Sequence, residues 1–281
     1  MLKIAVPNKG SLADASAAIL REAGYRQRQD PRDLVTTDPF NDAEFFYLRP
    51  RDIAVYVGEG TLDLGVTGRD LVLDSRSPVT ERLTLGFGES RFYFAGPVGA
   101  ISTVEELEGR RIATSYAGLL EDFLKERSIN AHVVRLDGAV ESAVRLGVAD
   151  VIADVVETGS TLRQAGLEVF GDPILSSEAV LITRHSAADP AGLDVFIRRL
   201  KGVLVARGYV MMDYDIRVEQ VETACTLTPG IESPTVSPLH REGWVAVRSM
   251  VPHSDAQRVM DELYDLGARG ILVTNIHACR L

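Results

Sequence analysis

The sequence predicts an α/β fold that is followed by a small separate domain at the C-terminal end. Short β-rich runs alternate with helical patterns over residues 1–207, which is typical of sheets whose strands are connected by helices. Several of these runs end in loops of glycine and small polar residues that lead directly into a helix. After Gly208 the pattern changes to strand, helix, strand, strand, helix, strand, the order of a ferredoxin-like domain.

The first part of the chain contains four predicted strands, Lys3–Val6, Glu44–Leu48, Leu62–Val66 and Leu83–Phe87. Two helices are predicted between them, Leu12–Ala23 and Asp52–Val57. Gly24 follows the first helix at the position where a left-handed residue commonly ends one. This alternation predicts one mostly parallel sheet.

A second α/β part follows, with strands at Arg91–Ala95, Arg111–Thr114, His132–Leu136 and Val151–Val155 and with helices at Leu119–Glu126 and Ala139–Leu146. A strand at Glu178–Thr183 and a helix at Leu193–Arg207 complete it. The six elements of the tail are Tyr209–Ile216, Val218–Cys225, Thr235–Ser237, Trp244–Val251, Asp255–Leu266 and Ile271–Ile276.

Composition excludes several classes of protein. The net charge of −10 argues against sequence-independent binding of nucleic acid, which needs a basic surface. Cys225 and Cys279 fit no zinc or redox spacing, and the five histidines fit no metal-ligand spacing. There is no basic flank with an apolar leader at the start, and no apolar run approaches the roughly 18 residues of a membrane span. We expect a cytoplasmic protein that binds no membrane.

The loop after the strand at residues 151–155 is the best candidate for chemistry. Glu-Thr-Gly-Ser-Thr at residues 157–161 follows an apolar strand and precedes a helix. Such a turn collects backbone N–H groups, hydroxyls and the positive end of a helix dipole, which together bind phosphate. Gly159 allows a close backbone approach. An ordinary capped turn between strand and helix is the alternative.

Charged residues follow other predicted strands as well. Lys9 lies in the loop Pro-Asn-Lys-Gly-Ser, and ligands bind at this edge of open α/β sheets, although the loop alone fits a surface lysine in a capped turn better. Arg49 and Arg51 flank a proline and suit a pyrophosphate or triphosphate, although solvated surface charge explains them equally well. Asp70 follows Thr-Gly-Arg and either lines a site or complements a helix dipole.

Asp137 and Glu141 follow the strand at residues 132–136. Their carboxylates are suited to ribose hydroxyls or to Mg²⁺ bound through water, whereas Asp137 would alternatively cap the next helix. No GxxxxGK[ST] loop and no Ser/His/Asp arrangement is present in the sequence. P-loop, serine-hydrolase and metal-hydrolase chemistry are therefore disfavoured.

Taken together, these segments resemble the ATP phosphoribosyltransferase family. The resemblance is carried by LKIAVPNKGSL, FFYLRPRDIAVYVGEGTLDLGVTGRDLV and RLDGAVESAVRLGVADVIADVVETGSTL. The tail segments MMDYDI, TPGIESPTVSPL and MDELYDLGARGILVTNI resemble the regulatory domain of the long form, which binds histidine. The likeness covers nearly the whole chain.

The resemblance implies two periplasmic-binding-protein-like (type II) lobes with the active site between them, followed by the ferredoxin-like regulatory domain. Residues 1–87 and 178–207 would form lobe I, residues 88–177 lobe II, and residues 208–281 the histidine-binding domain. The implied reaction joins ATP to phosphoribosyl pyrophosphate in the first step of histidine biosynthesis and requires Mg²⁺. A homo-oligomer, from dimer to hexamer, is implied, with no separate regulatory subunit.

The resemblance also implies site residues. Residues Asp154, Val155, Val156, Glu157, Thr158, Gly159, Ser160 and Thr161 match the phosphoribosyl pyrophosphate loop. The nucleotide site is implied at Lys9, Gly10, Arg49, Asp70, Leu71 and Tyr116, and Lys9 and Asp154 are the catalytic candidates. The histidine pocket is implied at Asp215, Ile231, Ser233, Thr235 and Gly270. Without the resemblance, the favoured alternative is that Asp215 caps a helix beginning near Arg217 and that Thr235 only fills a strand. Relatives often carry a small residue at position 157 and an arginine at position 160, so Glu157 would contact phosphate through its backbone only.

Two other classes of protein share part of this pattern. Salvage phosphoribosyltransferases have a similar loop, but two adjacent acids normally precede it, and here the pair is Ala153-Asp154. A solute-binding protein or a transcriptional sensor would need an export signal or a helix-turn-helix segment, and the sequence shows neither.

Overall fold

The computed structural model describes residues 1–156, 159–185 and 188–280. Contacts within the chain divide it into an N-terminal unit of residues 1–21 and 25–193 and a C-terminal unit of residues 22–24 and 194–280. By sequence, the helix from residue 193 was placed in lobe I, whereas the contacts group nearly all of it with the C-terminal sheet. The assignment of catalytic and regulatory roles to residue ranges stays a prediction.

The N-terminal unit contains eleven strands and six helices among the described residues. The strands are β1 Leu2–Pro7, β2 Val35–Asp38, β3 Ala43–Leu48, β4 Leu64–Gly68, β5 Val79–Thr84, β6 Ser90–Pro97, β7 Arg111–Thr114, β8 His132–Arg135, β9 Val151–Val156, β10 Leu167–Ser177 and β11 Ala179–Arg184. The helices are α1 Ser11–Glu22, α2 Pro50–Gly58, α3 Arg69–Ser75, α4 Ala117–Glu126, α5 Ser142–Arg145 and α6 Ser160–Gln164. Short 3₁₀ turns lie at Pro39–Asn41 and Glu105–Leu107.

These strands form two sheets, which we call lobe I and lobe II together with their helices. The order is β2-β3-β1-β4-β11-β5 in lobe I and β10-β6-β9-β7-β8 in lobe II. The chain passes from the first sheet to the second between β5 and β6 and returns between β10 and β11. The predicted pair of α/β lobes is confirmed.

The sheets are mixed, which corrects the expectation of mostly parallel sheets. Strands β3, β1 and β4 run parallel, as do β8, β7 and β9. The strands that follow each crossing, β6 and β11, are antiparallel to their neighbours. The three parallel strands are therefore neighbours in each lobe, and their carboxyl ends share one edge.

Each lobe is held by apolar faces on its sheet. In lobe I, β4 is buried throughout and packs with Ile53, Ala54 and Val57 of α2. In lobe II one face of the sheet buries Phe92, Phe94 and Leu120, and the other buries small residues such as Ala113 and Ala143. Within the described ranges, no helix combines the length and the apolar character needed to cross a membrane.

Three local predictions were wrong. Strand β10 was missed because Gly171 and Pro173 interrupt its pattern, and its pairing with β6 shifts register between Phe170 and Leu175. Edge strand β2 was missed because it has only four residues and little burial. The predicted helix at residues 139–146 is reduced to α5, because Gly138 and Ala139 adopt positive φ just before it.

The C-terminal unit is the predicted ferredoxin-like arrangement. Its elements are α7 Leu193–Gly208, β12 Tyr209–Arg217, α8 Val221–Leu227, β13 Thr235–Pro238, β14 Trp244–Pro252, α9 Ala256–Leu266 and β15 Arg269–Asn275, with 3₁₀ turns at Val218–Gln220 and His253–Asp255. The strand order is β13-β14-β12-β15, with antiparallel neighbours throughout. Alternate residues of β12 and β14 are buried with α8 and α9, and the residues between them, charged ones such as Asp213 and Asp215 together with apolar ones such as Met211, lie on the opposite face of the sheet.

Candidate active site

The parallel strands of lobe I deliver the polar residues that sequence analysis singled out. Lys9 and Gly10 follow β1, Arg49 follows β3, and Asp70 and Leu71 begin α3 directly after β4. Because these strands are parallel neighbours, their carboxyl ends bring the three loops to one edge of the sheet.

Lobe II is built in the same way. Ser115 and Tyr116 follow β7, Arg135 ends β8 and precedes Asp137, and Val155 lies near the end of β9. These residues face those of lobe I across a cleft of about 790 Å³. The residues lining the cleft are Lys9, Gly10, Ser11, Leu12, Arg49, Pro50, Arg51, Asp52, Gly68, Asp70, Leu71, Gly88, Ser90, Ser115, Tyr116, Arg135, Asp137, Gly138 and Val155.

The cleft brings together all six residues predicted for the nucleotide. It also includes Ser90, Ser115 and Arg135, which sequence analysis did not select. Arg135 had a usable signal, because it lies at the carboxyl end of a predicted strand like the residues that were chosen. Ser90 had none, since it follows a crossing between lobes and not a parallel strand.

Asp70 is buried at the junction of the lobes, with 7% of its surface exposed. The Ser177 hydroxyl donates to the Asp70 carboxylate at 2.9 Å and accepts from the Asp70 backbone N–H at 3.0 Å. Asp70 lies in the first turn of α3 and also lines the cleft. The two roles predicted for it, complementing the helix dipole and lining a site, are therefore compatible.

Tyr116 packs its ring against Phe92 at a centroid distance of 5.3 Å. Burial raises the pKa of the Tyr116 phenol, and the nearby Asp70 carboxylate raises it further. The hydroxyl therefore stays protonated at physiological pH, and its hydrogen bond to the Asp70 carboxylate across the lobes also raises the pKa.

The loop after β9 borders a second cavity, of about 350 Å³. Its lining residues are Glu141, Asp154, Val155, Val156, Gly159, Ser160, Thr161 and Leu162. Every described residue of the predicted phosphoribosyl pyrophosphate loop is among them, whereas Glu157 and Thr158 lie outside the described residues. Val155 lines both cavities, so the loop lies beside the cleft.

Asp154 is one of the two acidic residues, with Glu141, among the described lining of this cavity. Burial raises the pKa of its carboxyl group, and the negative charge of Glu141 raises it further. Two contributions lower it, a 2.8 Å hydrogen bond donated by the Val155 N–H and the positive charge of Arg51. Asp154 and Glu141 therefore form one electrostatically linked pair.

Gly159 precedes α6 with φ of 67°, in the left-handed region that favours glycine. A side chain there would be strained, and its Cβ would lie 3.3 Å from an Arg163 guanidinium nitrogen. Helix α6 has only five residues, so the helix dipole invoked from the sequence is small and the loop's N–H groups and hydroxyls matter more.

The two candidate metal ligands are separated. Asp137 lines the cleft and Glu141 lines the second cavity. Asp137 does not cap a helix, because α5 begins five residues later and lacks a side-chain cap, so that alternative is wrong. Over the described part of the chain, no group of three or more His, Cys, Asp or Glu side chains is arranged to hold a metal.

The residues implied for histidine are only partly brought together. Asp215 lies within β12, paired with Ala246 and Arg269, so it does not cap a helix as the alternative supposed. Gly270, with φ of 60°, lies beside it, since a Cβ there would be 3.5 Å from the Asp215 carboxylate. Thr235 begins β13, which β14 separates from β12; Ser233 and Ile231 precede it, Ser233 exposed and Ile231 half-buried.

Comparison with known proteins agrees with this architecture. The family model described as ATP phosphoribosyltransferase matches residues 49–202, and the one described as HisG, C-terminal domain, matches residues 206–278. The ATP phosphoribosyltransferases of Paenarthrobacter aurescens strain TC1 and Streptomyces coelicolor A3(2) are 67% and 62% identical, with 100% of each chain covered.

A solved structure titled "ATP phosphoribosyl transferase (HisG:HisZ) complex from Thermotoga maritima" matches with a TM-score of 0.61 and 25% identity. The match covers 72% of this chain and 97% of that one. The match thus covers nearly all of the Thermotoga maritima chain but only part of the present chain. The present chain also carries the C-terminal domain of residues 206–278. The chain belongs to the ATP phosphoribosyltransferase family of pentosyltransferases, in its long form.

Proposed function

We propose that this chain transfers the phosphoribosyl group of phosphoribosyl pyrophosphate to N1 of the adenine of ATP. The C1′–oxygen bond to pyrophosphate breaks, and a C1′–N1 bond forms. The observation that carries the proposal is the placement of the two predicted ligand sets side by side, in a cleft and a cavity that share Val155.

The charges of the two cavities support this division. Lys9, Arg49 and Arg51 line the cleft on the side of lobe I, where they suit the triphosphate of ATP. The loop of lobe II offers backbone N–H groups and the hydroxyls of Ser160 and Thr161, which suit a phosphate monoester. A nucleotide and a phosphorylated ribose would then meet at the boundary of the two.

Positioning and electrostatics would supply most of the catalysis. The transition state should be oxocarbenium-like, with positive charge on the ribose and negative charge on the departing pyrophosphate. We assign stabilisation of the former to Asp154, which lines the second cavity, and of the latter to Lys9, which lines the cleft. Holding N1 against C1′ lowers the barrier further, because the two substrates no longer have to meet by chance.

The carboxylates fit a magnesium ion that is held mainly by substrate. Glu141 and Asp154 share one cavity, and Mg²⁺ at phosphate sites is usually bound by one or two carboxylates together with waters and phosphate oxygens. Such an ion would neutralise charge on the pyrophosphate. Asp137 would face it only from the neighbouring cleft.

Pyrophosphate release tests the reaction directly. We expect release only when ATP and phosphoribosyl pyrophosphate are both present, together with a product that has the mass of ATP plus one phosphoribosyl group. Release with a free purine or pyrimidine base instead of ATP would indicate a salvage enzyme and contradict the proposal.

We further propose that histidine inhibits the enzyme through the C-terminal unit, around Asp215 and Gly270, without a separate regulatory subunit and within a homo-oligomer. The Asp215 carboxylate suits the ammonium or imidazole N–H of histidine, and Gly270 leaves room beside it. Ser233, Thr235 and Ile231 are proposed as further contacts. Thr235 is in register with Arg248 of β14 and, beyond it, with Asp213 of β12, so two strand spacings and two residues along the strand place it about 12 Å from Asp215. One histidine bridges Thr235 and Asp215 only if it lies across the sheet.

Substitution separates inhibition from catalysis. Asp215→Ala should keep near-normal turnover and raise the histidine concentration for half inhibition about tenfold or more, because a charged hydrogen bond is lost. Turnover measured against histidine concentration shows the effect, with Asp213→Ala as the neighbouring control on the same strand face. Inhibition of the Asp215 variant at the parent concentration would place the histidine site elsewhere, and Thr235→Ala measured alongside shows whether β13 takes part.

A further inference from the structure

Helix α4 of lobe II lacks a cap of its own. Tyr116 occupies its N-cap position and makes no side-chain cap bond. The free N–H groups of Gly118 and Leu119 instead donate to Asp74 of lobe I, at 2.9 and 3.3 Å from the same carboxylate oxygen. A carboxylate at this point stabilises a helix by satisfying free N–H groups and by opposing the positive end of its dipole.

The second oxygen of Asp74 is used differently. It lies 3.2 Å from a guanidinium nitrogen of Arg51, and the same nitrogen donates to the Ser115 carbonyl at 2.8 Å. The guanidinium carbon lies 4.5 Å from the centre of the Tyr116 ring. Arg51 and Tyr116 line the cleft, and Asp74 is not among the described residues that do so. Asp74 therefore binds one cleft residue, Arg51 of lobe I, and caps the first turn of α4, which begins directly after another, Tyr116 of lobe II.

The backbones of the two lobes lie close together at this contact. A Cβ at Gly118 would overlap the backbone carbonyl oxygen of Asp74, so a glycine is needed there. The Asp74 side chain is only 14% exposed, which keeps its bonds from exchanging freely with water. The contact is thus a fixed one, in which α3 and the start of α4 touch directly.

Arg76 makes a second bridge between the same helices. Its guanidinium group donates to Asp122 at 2.7 Å, to Glu121 at 3.1 Å and to the Gly118 carbonyl at 2.8 Å. The described contacts of Arg76 are with α4 and not with Arg51 or Tyr116. Arg76 therefore joins the lobes without touching the cleft.

We propose that Asp74 is a positioning residue for the transfer reaction: it fixes the Arg51 guanidinium group and the Tyr116 end of α4 in the cleft, across the lobe boundary. This rests on the proposed function, because it assumes that the cleft binds ATP. Without Asp74, Arg51 would lose its carboxylate partner and α4 its cap. The cation and the ring would then be free to leave the positions that suit a nucleotide.

Steady-state kinetics of three variants test the role. Asp74→Ala should raise the KM for ATP about tenfold, the loss expected for a charged hydrogen bond, and leave the KM for phosphoribosyl pyrophosphate within about twofold. Arg76→Ala should change neither, although it also removes a bridge between the lobes. Asp74→Asn keeps an oxygen for the Gly118 N–H but not the charge facing Arg51, so it should resemble Asp74→Ala in the KM for ATP while melting at a higher temperature.

A double-mutant cycle asks whether Asp74 acts through Arg51. Once Arg51 is alanine, the additional replacement of Asp74 should raise the KM for ATP clearly less than it does in the parent, because only its contribution through the first turn of α4 and Tyr116 remains. Additive effects of the two replacements, or equal effects of Asp74→Ala and Arg76→Ala, would overturn the proposal. If Asp74→Ala does not fold, Asp74→Asn takes its place in the cycle.

The outcomes also separate this role from the proposed function. A parent enzyme that releases no pyrophosphate from ATP and the donor defeats both. A parent enzyme that turns over normally, with an unchanged KM for ATP in the Asp74 variants, defeats the positioning role alone.

Discussion

The two lobes arrange their strands in a similar way but differ in the residues that they bring to the cleft. In each, three parallel strands lie beside an antiparallel strand that belongs to a crossing of the chain. Lobe I supplies Lys9, Arg49 and Arg51, three of the four cations among the described residues that line the cleft. Lobe II supplies Arg135 to the cleft and, among the described residues, the two carboxylates that line the second cavity, Glu141 and Asp154.

The difference shows which property belongs to the fold and which to the loops. Parallel strands fix where functional residues lie, because their carboxyl ends meet at one edge in both lobes. The residue types in the loops then decide what is bound, and we propose a polyphosphate on the cationic side and a phosphorylated sugar on the side of Asp154. Our central claim is that lobe I binds the nucleotide and lobe II the donor.

The largest expected effect is on turnover, for a substitution of Asp154 in lobe II. Asp154→Asn should lower turnover by at least about a hundredfold, since it removes a charge placed to stabilise the oxocarbenium-like ribose. The matched control is Asp150→Asn. Asp150 directly precedes the first residue of β9 and pairs with Arg111 at 2.8 Å. Turnover of the Asp150 variant should stay near normal, and equal losses in both variants would remove Asp154 from the catalytic residues.

A smaller effect of Asp154→Asn is expected on stability, and it has the opposite sign: the variant should lose turnover but gain stability. Burial raises the pKa of Asp154 above 3.8, so ionising it costs folding free energy above that pH. Asp154→Asn should therefore melt higher than the parent at pH 7, and the difference should shrink as the pH falls through the raised pKa. Hydrogen bonds from Arg111 lower the pKa of Asp150, so its contribution is present above pH 3.8 and is lost on acidification.

Asp150→Asn should accordingly melt lower than the parent at pH 7. Melting temperatures of both variants between pH 5 and pH 7 give the two signs in one experiment. A lower melting temperature for Asp154→Asn at pH 7 would mean that its carboxylate stabilises the fold, contrary to the burial described above.

Much of this arrangement could be predicted from the sequence, because strand-loop-helix transitions are local. Lys9, Arg49 and Asp70 each follow a short apolar run, and that signal was enough to place them at one edge. Strand β10 and the short α5 were not predictable in the same way, since an irregular register and positive φ at Ala139 override the residue pattern.

The contact of Asp74 with α4 lay beyond local reasoning for a different reason. Its partners Gly118 and Leu119 are 44 and 45 residues away and belong to the other lobe. A helix that lacks its own cap is a hint that another part of the chain provides one, but the sequence does not indicate which.

Binding of each substrate to one variant of each lobe tests the central claim most directly. Calorimetric titrations with ATP and with phosphoribosyl pyrophosphate should be made on Arg49→Ala for lobe I and on Thr161→Val for lobe II. We expect Arg49→Ala to weaken ATP about tenfold and the donor by less than about twofold, and Thr161→Val to show the reverse. If Arg49→Ala instead weakens the donor more than ATP, or Thr161→Val weakens only ATP, the division of substrates between the lobes is contradicted.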